Sequence, residues 1–369
     1  MDHKIVISNR SFEVIEEVQD IANSISWDYN RNGGMGGFSF NVPTKFCQDT
    51  SFGGGYNVKI YVKSADTFVL RYQGRIDNKV YNVNGQSETI AIKGSGYLSE
   101  LNDIYLDEVE YTSQTVEFIV KDLLDNYVTA DTNITYDIGD INTVTGVTLD
   151  TIKFSGSVMN ALRTLADIVG SREYGVDVDR KFFFKERSTT ENFVYHLGSK
   201  VINFSLDNDS GKVVNRVIVI GGEVSGTPFK ATYNDTKSQL KWKRRDQVYQ
   251  NSAITTTAVG QEVANSIFSE FADVTLRARV TILDGTQFES TVPMGLFRVQ
   301  GKSITYGTRK YGTFLYSGNI RYQINRISYK INAEGTLTSS LQLGQLRPSA
   351  AEEISQLEYK LQQLTAQGV

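Results

Sequence analysis

Residues 25–43 read ISWDYNRNGGMGGFSFNVP, and four of the five positions from 33 to 37 are glycine. Glycine lacks a Cβ atom and enters backbone conformations that other residues avoid, so this run predicts a loop or a bulge. The alternating Phe38 and Phe40 that follow are typical of a strand with one buried face. We therefore expect the glycine-rich segment to lead directly into a β-strand.

Further strands are predicted after this segment. In residues 58–63 Val, Ile and Val alternate with Lys, Tyr and Lys, a period of two that indicates a half-buried strand. Residues 67–75 and 88–93 continue the pattern after turns that contain Asn and Gly. Strand-like sequence returns at 201–206 and 213–220 and dominates again from 288 to 343.

Helical spacing of apolar residues occurs in three internal segments, 115–127, 157–169 and 259–271. Recurrence at i, i+3, i+4 and i+7 places these side chains on one face of a helix. Ser155 is the predicted N-cap of the second helix, and residues 175–186 (GVDVDRKFFFKE) predict a hairpin. The sequence thus indicates a mainly β chain with small α/β insertions, an α+β class.

The composition excludes several kinds of protein. The 369 residues are 40% hydrophobic and 22% charged with a net charge of -4, a globular composition that argues against broad nucleic-acid binding. The single cysteine, Cys47, rules out an intrachain disulfide and a zinc site built on several thiolates. Two histidines, His3 and His196, leave little room for histidine-dependent catalysis. No segment approaches the roughly 18 apolar residues of a membrane span, so we expect no stable membrane insertion and folding in a cytoplasm.

Three segments partly match known phosphate-, dinucleotide- and calcium-binding motifs, but each lacks a required residue. Gly33–Gly37 is followed by Phe-Ser-Phe where a phosphate loop needs Lys-Ser or Lys-Thr. Gly94-Ser95-Gly96 has Ser99 in place of the third glycine of a dinucleotide fingerprint, so a tight turn is the stronger interpretation. The run 207–211 resembles the start of a calcium loop, but Ile218 stands where a ligating Glu is needed. We predict no catalytic residue, no cofactor-binding residue and no metal ligand.

Two polar features leave alternatives open. The 42 acidic residues could include a carboxylate pair of the kind that glycosidases use, although none has a distinctive apolar setting. Residues 241–245, KWKRR, form the one dense basic cluster, within a stretch from 242 to 258 that reads as polar and irregular. The cluster fits a solvated loop, an interface with an acidic neighbouring subunit, or a contact with nucleic acid.

The end of the sequence predicts an amphipathic helix after Pro348. Four apolar residues repeat there at the 3-4-3 spacing of a heptad seam: Ile354, Leu357, Leu361 and Leu364. A helix of two heptads needs a partner surface. The pattern is compatible with a dimer or a trimer through this helix, and equally with a helix that docks on its own domain.

Several segments together resemble the tail hub, or baseplate hub, proteins of bacteriophages. The likeness rests on residues 25–43, on residues 213–222 (VVNRVIVIGG) and on residues 322–364, where a strand pair leads through Pro348 into the terminal helix. The first segment looks like the opening strand pair of minor tail proteins, and the second is similar to the Asn-Arg-Val strand that opens a second barrel.

This resemblance implies a structural function without catalysis. Hub proteins of this family are trimers in which each subunit supplies two β-barrel domains like those of the tail-tube protein. The trimeric ring adapts a sixfold tube to a threefold spike or fibre at the distal end of the tail, and continues the tail channel. The implied location is the virion, at the tail tip or baseplate, after assembly in the cytoplasm of a host bacterium.

The resemblance also implies a division of the chain and a set of partners. The first tube-like barrel would span 1–106 and the second 191–240 with 290–346. Inserts would occupy 107–190 and 241–289, and the terminal amphipathic helix 347–369. The implied partners are two further copies, a tail-tube or distal tail protein, a central spike or fibre and a tape measure protein. DNA would pass during ejection without sequence-specific binding.

Two other functions stay compatible with the sequence. A carbohydrate-binding or receptor-binding tail module, used in host attachment, would display a groove with exposed aromatics such as Trp27 or Trp242. A tail-borne cell-wall hydrolase would depend on a carboxylate. A hub needs neither feature.

Overall fold

The computed structural model describes residues 2–20, 22–44, 53–64, 66–85, 87–141, 147–169, 172–186, 191–196, 201–224, 226–252, 254–272, 275–283, 296–300, 304–306, 309–311 and 320–344. Within them the chain is mainly β. The strands are β1 (His3–Ser8), β2 (Val14–Gln19), β3 (Asn23–Asn30), β4 (Gly33–Pro43), β5 (Asn57–Ser64), β6 (Thr67–Asn84), β7 (Ser87–Ser95), β8 (Tyr105–Thr115), β9 (Thr135–Ile141), β10 (Thr148–Ser157), β11 (Arg172–Val176), β12 (Lys181–Glu186), β13 (Glu191–His196), β14 (Val201–Asp209), β15 (Arg216–Val224), β16 (Thr227–Asn234), β17 (Asp246–Gln250), β18 (Thr275–Leu283), β19 (Leu296–Gln300), β20 (Ile304–Tyr306), β21 (Arg309–Tyr311), β22 (Ile320–Ile331) and β23 (Leu337–Gly344).

Four α-helices accompany these strands: α1 (Val116–Leu123), α2 (Val158–Val169), α3 (Thr236–Trp242) and α4 (Thr257–Phe271). A π-helical turn, Leu124–Val128, extends α1, and a 3₁₀ helix spans Tyr97–Asn102. The three helices predicted from internal periodicity are therefore confirmed as α1, α2 and α4. The predicted hairpin at 175–186 is also confirmed, as the β11–β12 pair.

Two details of the sequence prediction are wrong. Ser155 does not cap α2, because β10 continues to Ser157, whose Oγ accepts a hydrogen bond from the backbone N–H of Asn160 at 3.3 Å. The polar stretch 242–258 is not irregular throughout, since β17 runs through Asp246–Gln250 and pairs in parallel with β15. Neither α3 nor β17 has the apolar periodicity that identified the other elements.

One sheet connects the two ends of the described chain. Its strands follow the order β14-β18-β23-β22-β3-β4-β7-β6-β5-β1-β2, and every neighbouring pair along this path is antiparallel. The strand pair 320–344 thus lies beside the N-terminal strands. β11 joins the side of β4 in parallel through Gly175 and Val176, which attaches the helical part of the molecule to the sheet.

Two hydrophobic clusters form the core. The first lies on one face of the large sheet and takes residues from 5 to 92 and from 278 to 343. The second packs α1, α2 and α4 against strands between 106 and 219. Alternation along each strand explains the first cluster, because every second side chain points to the same face. The fully buried members of the first cluster include Ile5, Ile7, Ile25, Phe40 and Tyr72, and those of the second include Phe182 and Phe184.

The glycine run is part of a strand and not a loop, and the predicted bulge is present, because the β3–β4 register shifts between the pairs Trp27–Phe38 and Tyr29–Met35. Gly33 and Gly34 open β4 with φ values of +139° and +69°, and the strand then continues to Pro43. A Cβ atom on Gly34 would lie 2.0 Å from the carbonyl oxygen of Val176. Glycine at position 34 therefore allows β4 and β11 to approach closely where they pair. Phe38 and Phe40 enter the core as predicted.

The predicted fold class is confirmed as mainly β with α/β segments. The described strands form no closed barrel, so the two-barrel arrangement stays a proposal. Among the described residues no helix has both the length and the apolar character of a membrane span.

Candidate assembly surfaces

The seam between β3 and β22 joins segments three hundred residues apart in sequence. Trp27 of β3 lies opposite Tyr329 of β22. The two rings stack with their centroids 5.1 Å apart and an interplanar angle of 14°, and Trp27 is only 3% exposed. Stacked aromatic pairs add to the stabilisation that burial alone provides. The seam therefore ties the C-terminal strand pair to the N-terminal part of the sheet.

The opposite face of the sheet is polar. One row crosses neighbouring strands through Thr338, Lys330, Ser26, Ser39 and Lys93. Ser26 and Ser39 are hydrogen-bonded through their hydroxyl groups at 2.8 Å. An antiparallel sheet with one packed and one polar face is suited to contact with solvent or with a polar partner. This row combines three hydroxyl groups with two lysine side chains.

The sheet path ends in two strands that have a neighbour on one side only among the described residues, β2 and β14. Both strands have exposed apolar side chains. On β2, Val14 is 62% and Ile15 is 37% exposed, and on β14 Ile202 is 55% exposed. A strand edge presents unpaired N–H and C=O groups to any chain that can add a strand. These two edges are candidate surfaces for assembly.

A third surface surrounds the basic run at 241–245, and Asn215 organises it. Asn215 is fully buried just before β15. Its Nδ2 donates a hydrogen bond to the carbonyl oxygen of Lys243 at 2.6 Å, and its Oδ1 accepts one from the N–H of Arg245 at 2.7 Å. Lys243 has a φ of 61°, a strained conformation for a side chain of this size. The Asn215 side chain thus fixes the backbone that presents the basic residues.

Ion pairs fix the start of β17 as well. Asp246 accepts hydrogen bonds from Arg244 at 2.6 Å and from Arg216 at 2.9 Å. The hydrogen bond from Arg244 is the main reason why the pKa of Asp246 is lowered. Lys241 lies over the ring of Trp242, with 4.9 Å from its Nζ to the ring centroid. The cluster is therefore a structured surface and not a loose loop.

Replacing Asn215 by alanine is expected to cost about 2–4 kcal/mol of stability, because the fully buried amide is removed and two part-buried backbone groups lose their partners. The exposed Asn234, which accepts a hydrogen bond from Gln239, is a matched control, and Asn234→Ala should cost about 0.5 kcal/mol or less. Urea unfolding followed by circular dichroism measures both. Equal losses for the two variants would contradict the role assigned to Asn215.

Two described carboxyl groups, those of Glu100 and Asp177, have raised pKa values. Burial raises the pKa of Glu100 in the 3₁₀ helix and that of Asp177 in the β11–β12 turn. Asp177 accepts hydrogen bonds from the backbone N–H groups of Asp179 and Lys181, both at 2.8 Å, so it closes the turn. Among the described residues, no three His, Cys, Asp or Glu side chains cluster in a way that could hold a metal ion.

The histidines and tryptophans occupy different settings. His3 is 6% exposed, and its backbone N–H donates a hydrogen bond to Asp20 at 2.7 Å. His196 ends β13. Trp27 is stacked in the seam and does not line a groove, whereas Trp242 lies in the basic cluster. An open cleft of about 480 Å³ lies nearby between α3 and α4, lined by Asn234, Asp235, Thr236, Lys237, Gln261, Asn265 and Phe268.

The predicted oligomerisation residues Ile354, Leu357, Leu361 and Leu364 lie outside the described residues, as does Cys47. The candidate assembly surfaces that the structure offers are instead the two sheet edges and the basic surface, whereas the seam is a buried contact within the chain. Of these, only the basic run 241–245 was considered as an interface from the sequence.

The fold is that of known phage tail proteins. The 43 kDa tail protein of prophage MuSo2 from Shewanella oneidensis superimposes with a TM-score of 0.64 at 15% identity, covering 92% of this chain and 98% of the other. A tail protein from Neisseria meningitidis MC58 gives 0.65 at 11% identity, covering 93% and 96%. The prophage tail protein gp18 from Listeria monocytogenes EGD-e gives 0.59 at 14% identity, covering 97% and 99%.

The likeness extends over nearly the full length of each of these three proteins, so it concerns the whole architecture and not one domain. No protein-family model and no curated protein sequence matches this chain. The resemblance to tail proteins predicted from the sequence is therefore confirmed at the level of the fold.

Proposed function

We propose that this protein is a structural component of a phage tail, the hub at its distal end. Three copies form a ring that adapts the sixfold tail tube to a threefold spike or fibre. The observation that carries the proposal is the continuous antiparallel sheet from β14 to β2, which unites the two ends of the described chain in a fold shared with three tail proteins. No enzymatic activity is part of this function.

The sheet edges support the proposed ring. Among the described residues, the sheet path ends in β2 and β14, with exposed apolar residues on both strands. Cyclic symmetry can place such different edges of neighbouring subunits together, which closes a ring and removes the exposed edges. In this arrangement residues 1–106 supply one tube-like barrel, and 191–240 with 290–346 supply the second. The segments 107–190 and 241–289 are peripheral inserts.

The partners follow from the position of the hub in the tail. A tail-tube or distal tail protein binds on one side of the ring and a central spike or fibre on the other, with a tape measure protein in the channel before ejection. DNA then passes through the channel without sequence-specific contacts. The protein assembles in the host cytoplasm and resides in the virion at the tail tip or baseplate, where it takes part in host attachment.

Absolute mass measured by light scattering after size exclusion tests this function. We expect a species of three times the 41.2 kDa chain mass, about 124 kDa, that appears as a ring in electron micrographs. The variant Leu357→Glu with Leu361→Glu should weaken this trimer if the heptad helix 347–369 closes it, while Gln363→Glu serves as the control. A monomer at every concentration would contradict the ring.

A further inference from the structure

The basic surface combines exposed charge with an exposed apolar side chain. We define the α3 patch as Lys237, Leu240, Lys243 and Arg244. Leu240 is 86% exposed, and the three cations are exposed as well. Lys237 and Lys243 form no ion pair among the described residues. A surface of this kind, on a chain whose net charge is -4, favours contact with an acidic partner.

The α3 patch is held rigidly. Ser238 and Gln239 anchor the inner side of α3, since the Ser238 hydroxyl donates to the carbonyl oxygen of Ala272 and Gln239 Nε2 donates to the carbonyl oxygen of Asn215 at 3.0 Å. Asp235 caps the helix by accepting a hydrogen bond from the N–H of Ser238 at 2.9 Å. A surface that is already ordered loses little conformational entropy when a partner binds. Leu240 and its cationic neighbours are therefore well suited to a specific contact.

A complementary surface lies on β8 of the same chain. We define the acidic strip as Tyr105, Asp107 and Glu108. Tyr105 is 68% exposed, and both carboxylates are exposed. Asp107 and Glu108 form no ion pair among the described residues, whereas the flanking Asp103 and Glu110 pair with Arg75 and Lys153. The strip thus offers two carboxylates without a direct ion pair among the described residues beside one aromatic ring, and Lys153 contributes only a longer-range attraction to Glu108.

We propose that the α3 patch of one copy docks on the acidic strip of a second copy. Lys237 and Lys243 face Asp107 and Glu108, and Leu240 packs against Tyr105. Charge complementarity selects this occupant, because the two surfaces have opposite charge and each has one exposed apolar anchor. A contact between two different patches is heterologous, so its repetition around an axis generates a ring. The inference rests on the proposed function and names one of its interfaces.

A charge exchange tests the contact. The first variant combines Lys237→Glu with Lys243→Glu, the second combines Asp107→Lys with Glu108→Lys, and the third carries all four changes. All four residues changed are exposed, so thermal unfolding should stay near that of the unmodified protein. Each of the first two variants should raise the dissociation constant of the oligomer about tenfold or more, measured by sedimentation velocity. The third should restore association, since it re-creates the opposite charges.

Controls separate the possible outcomes. Glu334→Lys, in the exposed turn between β22 and β23, changes a charge away from both surfaces and should leave association unchanged. If the unmodified protein associates and all charge variants have the same dissociation constant, the proposed contact is overturned, whereas the trimeric ring is not. A dimer that obeys the charge exchange would support the contact and overturn the trimeric hub. Binding of anionic phosphatidylglycerol vesicles that is lost in the first variant, without a change in association, would assign the α3 patch to a membrane and overturn the proposal.

Discussion

Replacing Trp27 by alanine is expected to lower the free energy of unfolding by about 3–5 kcal/mol. The side chain is 3% exposed and stacks on Tyr329 across the β3–β22 seam. Alanine would leave a cavity in the first core cluster and remove the aromatic pair. Because the seam joins the strand pair 320–344 to the N-terminal strands, the loss should affect the connection between the two ends of the sheet.

Urea unfolding followed by far-ultraviolet circular dichroism measures the Trp27 variant, since removal of a tryptophan changes the fluorescence itself. Trp242→Ala is the matched control, because Trp242 lies on α3 and is partly exposed. Its loss should be clearly smaller. Trp27→Phe should retain part of the stability, since an aromatic ring is kept opposite Tyr329. If the two alanine variants lose the same amount, the stack does not hold the seam.

The sequence predicted those elements whose signal is local. Helices α1, α2 and α4 bury one stripe of side chains each, so the 3.6-residue period was sufficient to find them. The hairpin at 175–186 combines apolar strands with a polar turn. Such patterns lie within a dozen residues of chain and do not depend on distant partners.

The sheet order and the basic surface depend on long-range contacts. The local sequence pattern does not indicate the pairing of Trp27 with Tyr329 or the hydrogen bonds of Asn215 to Lys243 and Arg245. Each of these residues alone fits an ordinary strand or turn. Asn215 was part of the segment that resembled tail hubs, but only the structure gives it a physical role. α3 was missed because its outer face is basic and its helix is short.

The glycine run 33–37 shows how a local signal can be incomplete, since it indicated the bulge in β4 but not the contact with β11. Glycine favours loops when only its own backbone is considered. At this place it permits two strands to approach so closely that side chains have no room. A Cβ atom on Gly175 of β11 would lie 2.3 Å from the backbone nitrogen of Gly34. The constraint lies in the neighbouring strand and could not be found in residues 25–43 themselves.

Gly34→Ala is expected to cost more than about 4 kcal/mol, because two penalties act at one position. The φ of +69° disfavours any residue with a Cβ atom, at about 1–2 kcal/mol. The new Cβ atom would lie 2.0 Å from the carbonyl oxygen of Val176, so β11 must move away from β4. The attachment of the helical part of the molecule to the large sheet should weaken as a result.

Alanine variants of three other glycines measure the two penalties of Gly34→Ala, the positive φ and the clash of the Cβ atom, one at a time. Gly85 has a φ of +56° and open space around its Cβ position, Gly96 has an ordinary φ but a carbonyl oxygen at 1.9 Å, and Gly139 has neither problem. Alanine should cost about 1–2 kcal/mol at Gly85, several kcal/mol at Gly96, and about 0.5 kcal/mol or less at Gly139. Chemical denaturation of the four variants measures all of these values. If Gly34→Ala costs no more than Gly85→Ala, the close approach of β4 and β11 does not require glycine at position 34. The glycine run must then be explained by backbone conformation alone.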